Sequence, residues 1–162
     1  MPTPPFDLPQ ASRWFGVEFN NAAWELVEAP SRTADETERM LRLAHASCLH
    51  WASVGTPANE QRGLVLLAMA HAVAGHGSRA VALAERCLAV GKEHDDVLTP
   101  FDRAAAAACM ATALRSDGLH SQVSEWNAAA RAFAATLEDD EVAVIERMLS
   151  VDHAKTLTGA CL

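Results

Sequence analysis

The stretch Leu64–Ala74 contains no Asp, Glu, Lys or Arg and is bounded by turn-forming residues on both sides. Before it, Gly55 can end a preceding helix in the left-handed conformation, and Thr56 and Pro57 suit the cap and first position of a new helix. After it, Gly75 marks the next turn, and the hydroxyl of Ser78 can cap the following helix. A helix that is apolar all round must be covered by several neighbours. The sequence therefore predicts a central buried helix with the other helices packed around it.

The same turn signals recur 43 residues further along the chain. A Thr-Pro pair at Thr99 repeats the one at Thr56, and Gly118 follows it at the same distance as Gly75 follows the first pair. A repeat of this length is close to the period of helical solenoids. The chain is thus predicted to be built from repeated helix pairs.

Small and apolar residues in the first copy resemble the recurring positions of a tetratricopeptide repeat. They are Ala68, His71, Gly75, Ala80, Ala84, Cys87 and Leu88. The longer run AHASCLHWASVGTPANEQRG is similar to a group of small bacterial tetratricopeptide-like proteins with no assigned activity. These resemblances imply an all-α fold in which antiparallel helix pairs stack as a short right-handed array of about seven helices. They bring no catalytic residue with them.

Proline content and apolar periodicity divide the chain into three parts. Residues 1–11 hold four of the seven prolines and are predicted to form a disordered tail. Residues 12–155 are predicted to form one helical-repeat domain that begins near Ser12, and residues 156–162 a C-terminal tail. Thr33 and Glu36 form a capping-box pattern at the start of the second helix. The acidic group Glu138–Glu141 starts a last helix that is predicted to cover the open end of the stack.

The formal net charge is −8, with 13 Lys and Arg against 21 Asp and Glu, and the basic residues are scattered. Nucleic-acid binders normally carry a basic patch, so neither nucleic acid nor an anionic membrane is expected as a partner. We expect Arg32, Arg39 and Arg42 to be solvated. The segment MPTPPFDLPQ lacks the features of a secretory signal, and no apolar run is long enough to span a membrane. The four cysteines show no close spacing and are expected to be reduced, which favours a cytoplasmic protein.

Four polar and aromatic residues flank the turn at Gly55 and are predicted to form a binding site at one end of the stack. They are His50, Trp51, Asn59 and Arg62. Arg62 can bind a carboxylate, and Trp51 offers a flat apolar surface. The alternative is that these residues tie the turn to the first helix, through Glu25.

Aromatic side chains spread around the first helix more widely than one neighbouring helix pair can cover. They are Trp14, Phe15, Phe19 and Trp24. Large exposed aromatic patches usually mark an interface, so we predict that these residues contact a second copy or another protein. The alternative is that the proline-rich tail folds back through Phe6 and Leu8 and covers the rings.

Two neighbouring helices carry histidines that offer a different kind of site. His45 and Cys48 share one helix face, and His71 lies on the next helix, so these three side chains are open to a metal-binding interpretation. Their spacing matches no known zinc framework, and the preferred expectation is no metal and no cofactor. The leading functional hypothesis is a non-enzymatic protein-interaction module that binds a protein or peptide and forms homo-oligomers. The alternative is a small-molecule or metal-binding protein built on the histidine helices.

Overall fold

The computed structural model describes residues 6–151 and 155–156, and its regular structure is almost entirely helical. Within these residues the seven α-helices are α1 (Leu8–Val27), α2 (Ala34–Val54), α3 (Pro57–Val73), α4 (Gly77–Glu93), α5 (Pro100–Ser116), α6 (Val123–Ala134) and α7 (Asp139–Ser150). Two short strands, β1 (Ser31–Arg32) and β2 (Lys155–Thr156), pair in parallel. The all-α class predicted from the sequence is confirmed.

Three helices begin at a capping box built on a threonine. In α2, α3 and α5 the threonine hydroxyl accepts a hydrogen bond from the backbone N–H three residues on. The side chain of that third residue, which is Glu36, Asn59 or Asp102, accepts one from the threonine N–H in return. Such caps typically stabilise a helix by about 1 kcal/mol. The box at Thr33 and the cap at Thr56 were both predictable from the local sequence.

The first helix begins at Leu8, four residues earlier than the sequence predicted. The Asp7 carboxylate accepts a hydrogen bond of 2.7 Å from the N–H of Gln10, and Pro9 occupies the first turn, where its missing N–H costs nothing. Residues 8–11 of the predicted tail 1–11 lie within α1, because Pro9 suits the first turn of a helix. Residues 1–5 and 157–162 of the two predicted tails lie outside the described residues.

Two turn assignments also differ from expectation. Gly55 has φ −84°, so it does not end α2 in the left-handed conformation. Glycine is needed for space instead, because a Cβ there would lie 2.5 Å from the backbone oxygen of Trp51. The hydroxyl of Ser78 was expected to cap α4, but that helix begins at Gly77 without a side-chain cap. A Cβ on Gly77 would lie 2.5 Å from Cα of Asp117, so this glycine lets two turns touch.

The helices form antiparallel pairs, α1 with α2, α3 with α4 and α5 with α6, and each pair packs on the next. The odd-numbered helices α1, α3 and α5 lie side by side, and α7 continues this layer by packing on α5. The faces of α3 and α5 are buried nearly all round, which for α3 is what its charge-free stretch predicted. No helix of the described chain is long and apolar enough to cross a membrane.

Arg32 lies buried between the carboxyl ends of α1 and α3, which corrects the expectation that it is solvated. Its Nη1 donates to the backbone oxygens of Leu26, Val27 and Ala29, and its Nη2 donates to that of Val73 at 3.4 Å. The last carbonyls of a helix have no partner within the helix. One guanidinium group therefore satisfies the ends of two helices.

The carboxyl ends of α5 and α7 are joined in the same way. Arg115 donates to the backbone oxygens of Leu149 and Val151 at 2.9 and 3.1 Å. The Ser116 hydroxyl donates to the oxygen of Ala72 at the end of α3. The odd-numbered helices thus run in the same direction, with their carboxyl ends fastened together at one side of the molecule.

The internal repeat is visible in the backbone. Gly75 and Gly118 are the two positions of positive φ in the described residues, at 78° and 76°. Each is followed by a backbone N–H that bonds five residues back, from His76 to His71 and from Leu119 to Leu114. Both copies of the pair therefore turn through the same glycine-dependent motif.

We expect Gly75→Ala to destabilise the protein by about 1–2 kcal/mol, because a Cβ is strained at this backbone conformation. The cost is confined to the backbone, since an added Cβ would meet nothing within 4 Å. Gly75→Asn should cost less, because asparagine tolerates the left-handed region. Urea unfolding measures both. A neutral or stabilising Gly75→Ala would contradict the assigned turn.

Candidate functional site

The odd-numbered helices line a groove with a cavity of about 270 Å³. Its apolar wall and floor are formed by Trp24, Val65, Phe101, Ala105, Val144 and Met148. Its polar lining consists of Asn20, Glu28, Gln61 and Arg62. A concave, mostly apolar cavity with a few convergent polar groups is the usual form of a binding site. This groove is therefore the candidate functional site.

Arg62 is held at the groove by a buried carboxylate on the next repeat. Its Nε and Nη2 donate to Oδ1 and Oδ2 of Asp102 at 2.6 and 3.2 Å. The Asp102 side chain is 0% exposed, whereas that of Arg62 is 53% exposed. Since the two bonds use Nε and Nη2, the Nη1 group stays available to a ligand. The arginine is thus both fixed in position and accessible.

The charge state of Asp102 follows from its hydrogen bonds. Burial alone would raise the pKa of this carboxyl group, but the bonds from Arg62 and Thr99 outweigh it and hold the pKa below its ordinary value. Thr99 contributes its backbone N–H at 3.0 Å and its hydroxyl at 2.8 Å. Asp102 is therefore ionised at neutral pH and serves as the counter-ion of Arg62.

Gln61 is a buried groove residue with an incompletely satisfied amide. Its Nε2 donates to the backbone oxygen of Asp102 at 3.4 Å, while its Oε1 has no partner in the described part of the chain. Buried polar atoms are normally paired with protein, water or a ligand. Gln61 therefore adds an unused buried acceptor to the residues that line the groove.

The carboxyl end of the groove is closed by an ion pair. Glu28, just beyond α1, lies 3.6 Å from Nε of Arg147 in the last turn of α7. Both side chains are about half exposed, so the pair is worth less than about 1 kcal/mol. Its role is geometric, because it brings the two outer walls of the groove together.

The predicted binding residues do not form one surface. His50 stacks on Phe15 at a ring distance of 5.3 Å, on the side of the first helix pair away from α3. The ring of Trp51 lies against the backbone of Gly16, where a Cβ would lie 2.8 Å from it. Asn59 is occupied by its capping box. Of the four residues only Arg62 lines the groove, and its partner is Asp102 rather than the proposed Glu25.

The predicted interface aromatics are likewise divided among different faces of α1. Phe15 and Phe19 stack on each other at 5.4 Å and share a face with His50. Trp14 is 57% exposed, and its ring meets that of Phe15 edge-on at a centroid distance of 4.9 Å. Trp24 points to the opposite side of the helix and lines the groove. They are therefore not a single patch.

The histidine helices do bring two of the three proposed metal ligands close together. The rings of His45 and His71 lie 5.6 Å apart, and Nδ1 of His71 lies 3.1 Å from Nδ1 of His76. The side chain of His45 is exposed. No group of three or more His, Cys, Asp or Glu side chains in the described residues is placed to hold a metal ion. Cys48 does not complete the set; burial raises the pKa of its thiol to about 11.

The environment of His71 predicts a pH dependence of stability. Burial, with smaller contributions from the charges of His45, His76 and Arg79, lowers the pKa of His71 to about 4. The unfolded chain then binds a proton first, so stability should fall as the pH is lowered from about 6.5 to about 4. For this partly buried ring we expect a loss of about 1–2 kcal/mol. Urea unfolding across that range measures it.

The matched variants are His71→Gln, which removes the titrating group, and His120→Gln, which changes an exposed histidine. We expect His71→Gln to flatten the pH dependence above about pH 4.5, where few carboxyl groups titrate, and His120→Gln to leave it unchanged. Equal effects of the two substitutions would show that His71 is not the group responsible.

Comparison of the chain with protein-family models, with curated proteins and with solved structures finds no match.

Sequence reasoning missed several residues that line the groove. Gln61 and Phe101 lie next to residues that were singled out, while Val144 and Met148 belong to the last helix, for which the sequence predicted only a covering role. Asp102 carried a usable signal, because it stands three residues after Thr99 in the same pattern as Thr33 and Glu36. No local sequence pattern indicates its pairing with Arg62, which lies 40 residues away in the chain.

Proposed function

We propose that this chain is a tetratricopeptide-like protein-interaction module that binds a protein or peptide segment in the groove of its odd-numbered helices. The observation that supports this most directly is the combination of an apolar wall with the fixed, half-exposed guanidinium of Arg62. Stacked helix pairs generally present such concave surfaces to partner proteins. The partner class is therefore protein or peptide, including a second copy of the chain.

The groove chemistry narrows the kind of segment it takes. A cavity of about 270 Å³ holds one large apolar side chain, which would lie between Trp24 and Phe101. Nη1 of Arg62 would then receive a carboxylate or backbone oxygen of the same segment, and Gln61 offers an acceptor to a backbone N–H. The proposed ligand is a short segment with an apolar side chain next to an acidic or carbonyl group.

Selection of peptides from a random phage-displayed library on the intact protein tests this proposal. Peptides that bind should lose at least about tenfold in affinity with Trp24→Ala, since an aromatic wall of the cavity is removed. Trp126→Ala is the matched control, because Trp126 is a partly exposed tryptophan outside the groove. Selected peptides that bind both variants equally, or no selected peptide at all, would contradict the proposal.

A small apolar molecule in the same cavity is the second candidate, favoured by the predominance of carbon-lined surface in the groove. Native mass spectrometry of protein purified from its own cells would detect it as a retained mass that Trp24→Ala loses.

The metal version of this alternative rests on His45 and His71. Stoichiometric zinc in protein purified without a histidine tag would support it against the peptide proposal.

We also propose that the protein is not an enzyme and that it works in the cytoplasm. The described cysteines are free, and burial raises the pKa of Cys48 to about 11 and that of Cys87 to about 12, so neither supplies a thiolate nucleophile near neutral pH. Unpaired thiols are typical of a reducing compartment. The net charge of −8 disfavours nucleic acid as the partner.

A further inference from the structure

The outer side of the first helix pair, which faces away from α3, is apolar and has nothing packed on it in the described residues. At about 100° per residue, one stripe of α1 and one stripe of α2 lie side by side on this surface. We call it the end face, and it consists of Leu8, Phe15, Phe19, Leu26, Leu43 and His50. The ring contacts of His50 with Phe15 and Phe19 join the two stripes.

The opposite side of the same helix pair is covered. Cys48 of α2 lies against α3, where a Cβ on Gly63 would be 2.9 Å from its sulfur. On the end face, by contrast, Leu8 is 52% and Phe15 is 37% exposed. At the other end of the stack α7 covers the last pair. The end face is thus a side of the first pair on which none of the described repeats packs.

We propose that two copies of this chain pair through their end faces about a two-fold axis parallel to the helices. This names one partner within the proposed interaction function, on which it rests, but uses a different surface from the groove. The rotation places α1 of each copy on α2 of the other. Because α1 and α2 are antiparallel, each helix of the resulting four-helix bundle is antiparallel to its two neighbours, as in stable bundles.

The size of the end face suits a dimer. Its helices are 20 and 21 residues long, hence each about 30 Å. Two helices side by side give a flat projected area of roughly 600 Å². The uneven side-chain surface makes the accessible area larger than this. A standard interface takes about 800 Å² of accessible surface from each partner. Self-pairing can therefore cover the whole face.

The charges beside the end face are self-complementary. The Ser47 hydroxyl of α2 donates to the backbone oxygen of Gly16. This bond shows which residues of the two helices lie at the same height along the helix axes. Counting along the antiparallel pair from there, Glu25 of α1 lies within one residue of the level of Arg39 of α2. Both charged side chains are exposed. The two-fold rotation brings Glu25 of each copy beside Arg39 of the other, so opposite charges meet at both edges.

Sedimentation equilibrium of the intact chain from low to high micromolar concentration tests the proposal. We expect a monomer–dimer equilibrium that Phe15→Glu weakens at least tenfold, because it buries a charge in the apolar interface. Val17→Glu is the matched control, since Val17 is 43% exposed on the same helix but lies off the end face. A monomer throughout, or equal effects of the two substitutions, would overturn the proposal.

Charge reversal tests the orientation. Glu25→Arg alone should weaken the dimer, and adding Arg39→Glu should restore it; failure to restore would overturn the two-fold arrangement. If deletion of residues 1–5 or 157–162 turns a monomer into a dimer, the chain's own terminal segment covers the face instead, and the proposal is wrong. The groove is tested separately, by the dependence of peptide binding on Trp24. The absence of a dimer would therefore not contradict the proposed peptide binding.

Discussion

Arg32→Met is expected to lower the free energy of unfolding by about 3–5 kcal/mol, the largest single effect we anticipate for an arginine in this chain. Arg32 is buried and bonds the terminal carbonyls of both α1 and α3. Methionine fills a similar volume but offers no donor, so these carbonyls lose their partner in a site with little access to water. Urea unfolding near neutral pH measures the loss.

Two further substitutions separate this explanation from a general effect of losing a charge. Arg42→Met should change stability by less than about 0.5 kcal/mol, because Arg42 is 75% exposed and pairs with Glu38 on its own helix. Arg32→Lys should recover only part of the loss, since one ammonium group cannot reproduce the planar fork that reaches both helices. Full recovery by lysine would contradict the assigned hydrogen bonds.

Arg62→Met is expected to cost about 2–3 kcal/mol at neutral pH, because it leaves the carboxylate of Asp102 buried without its counter-ion. In the intact protein the pKa of Asp102 is lower when folded, so its ionised form stabilises the fold and that contribution is lost as the pH falls through the folded pKa. Without Arg62, burial dominates and the folded pKa rises. The stability difference should then be largest near pH 7 and shrink toward about pH 4.

Asp102→Asn is the matched variant, because asparagine already occupies the equivalent cap position at Asn59. It keeps the capping box of α5 and removes the buried charge, so we expect a loss of only about 1 kcal/mol with little pH dependence. Unfolding curves at several pH values compare the variants. A pH-independent loss in Arg62→Met would mean that the ion pair is not the cause.

Local chemistry made the helix boundaries largely predictable. A cap depends on residues three or four apart, so the threonines at 33, 56 and 99 could be assigned from their immediate neighbours. The glycines at 75 and 118 were recognisable for the same reason. The error at α1 came from taking prolines as a sign of disorder when one of them, Pro9, lies in the first turn of the helix.

Contacts between distant helices explain what sequence reasoning missed. Arg32 and Arg42 look alike in the sequence, and only the convergence of two helix ends distinguishes them. His50 and Trp51 are adjacent in the chain, but the 100° step of a helix places one on the end face and the other against Gly16. The predicted site grouped neighbours in sequence, whereas the groove draws its lining from four helices.

The parallel direction of the odd-numbered helices has an electrostatic consequence for the groove. Each helix of an antiparallel pair opposes the dipole of its partner, but α3 and α5, which form the floor of the groove, have their amino ends on the same side. The positive ends meet where Arg62 stands, and the negative ends meet where Arg32 and Arg115 bind the terminal carbonyls. A carboxylate bound near Arg62 would therefore also be stabilised by the amino ends of these helices, although the molecule as a whole is acidic.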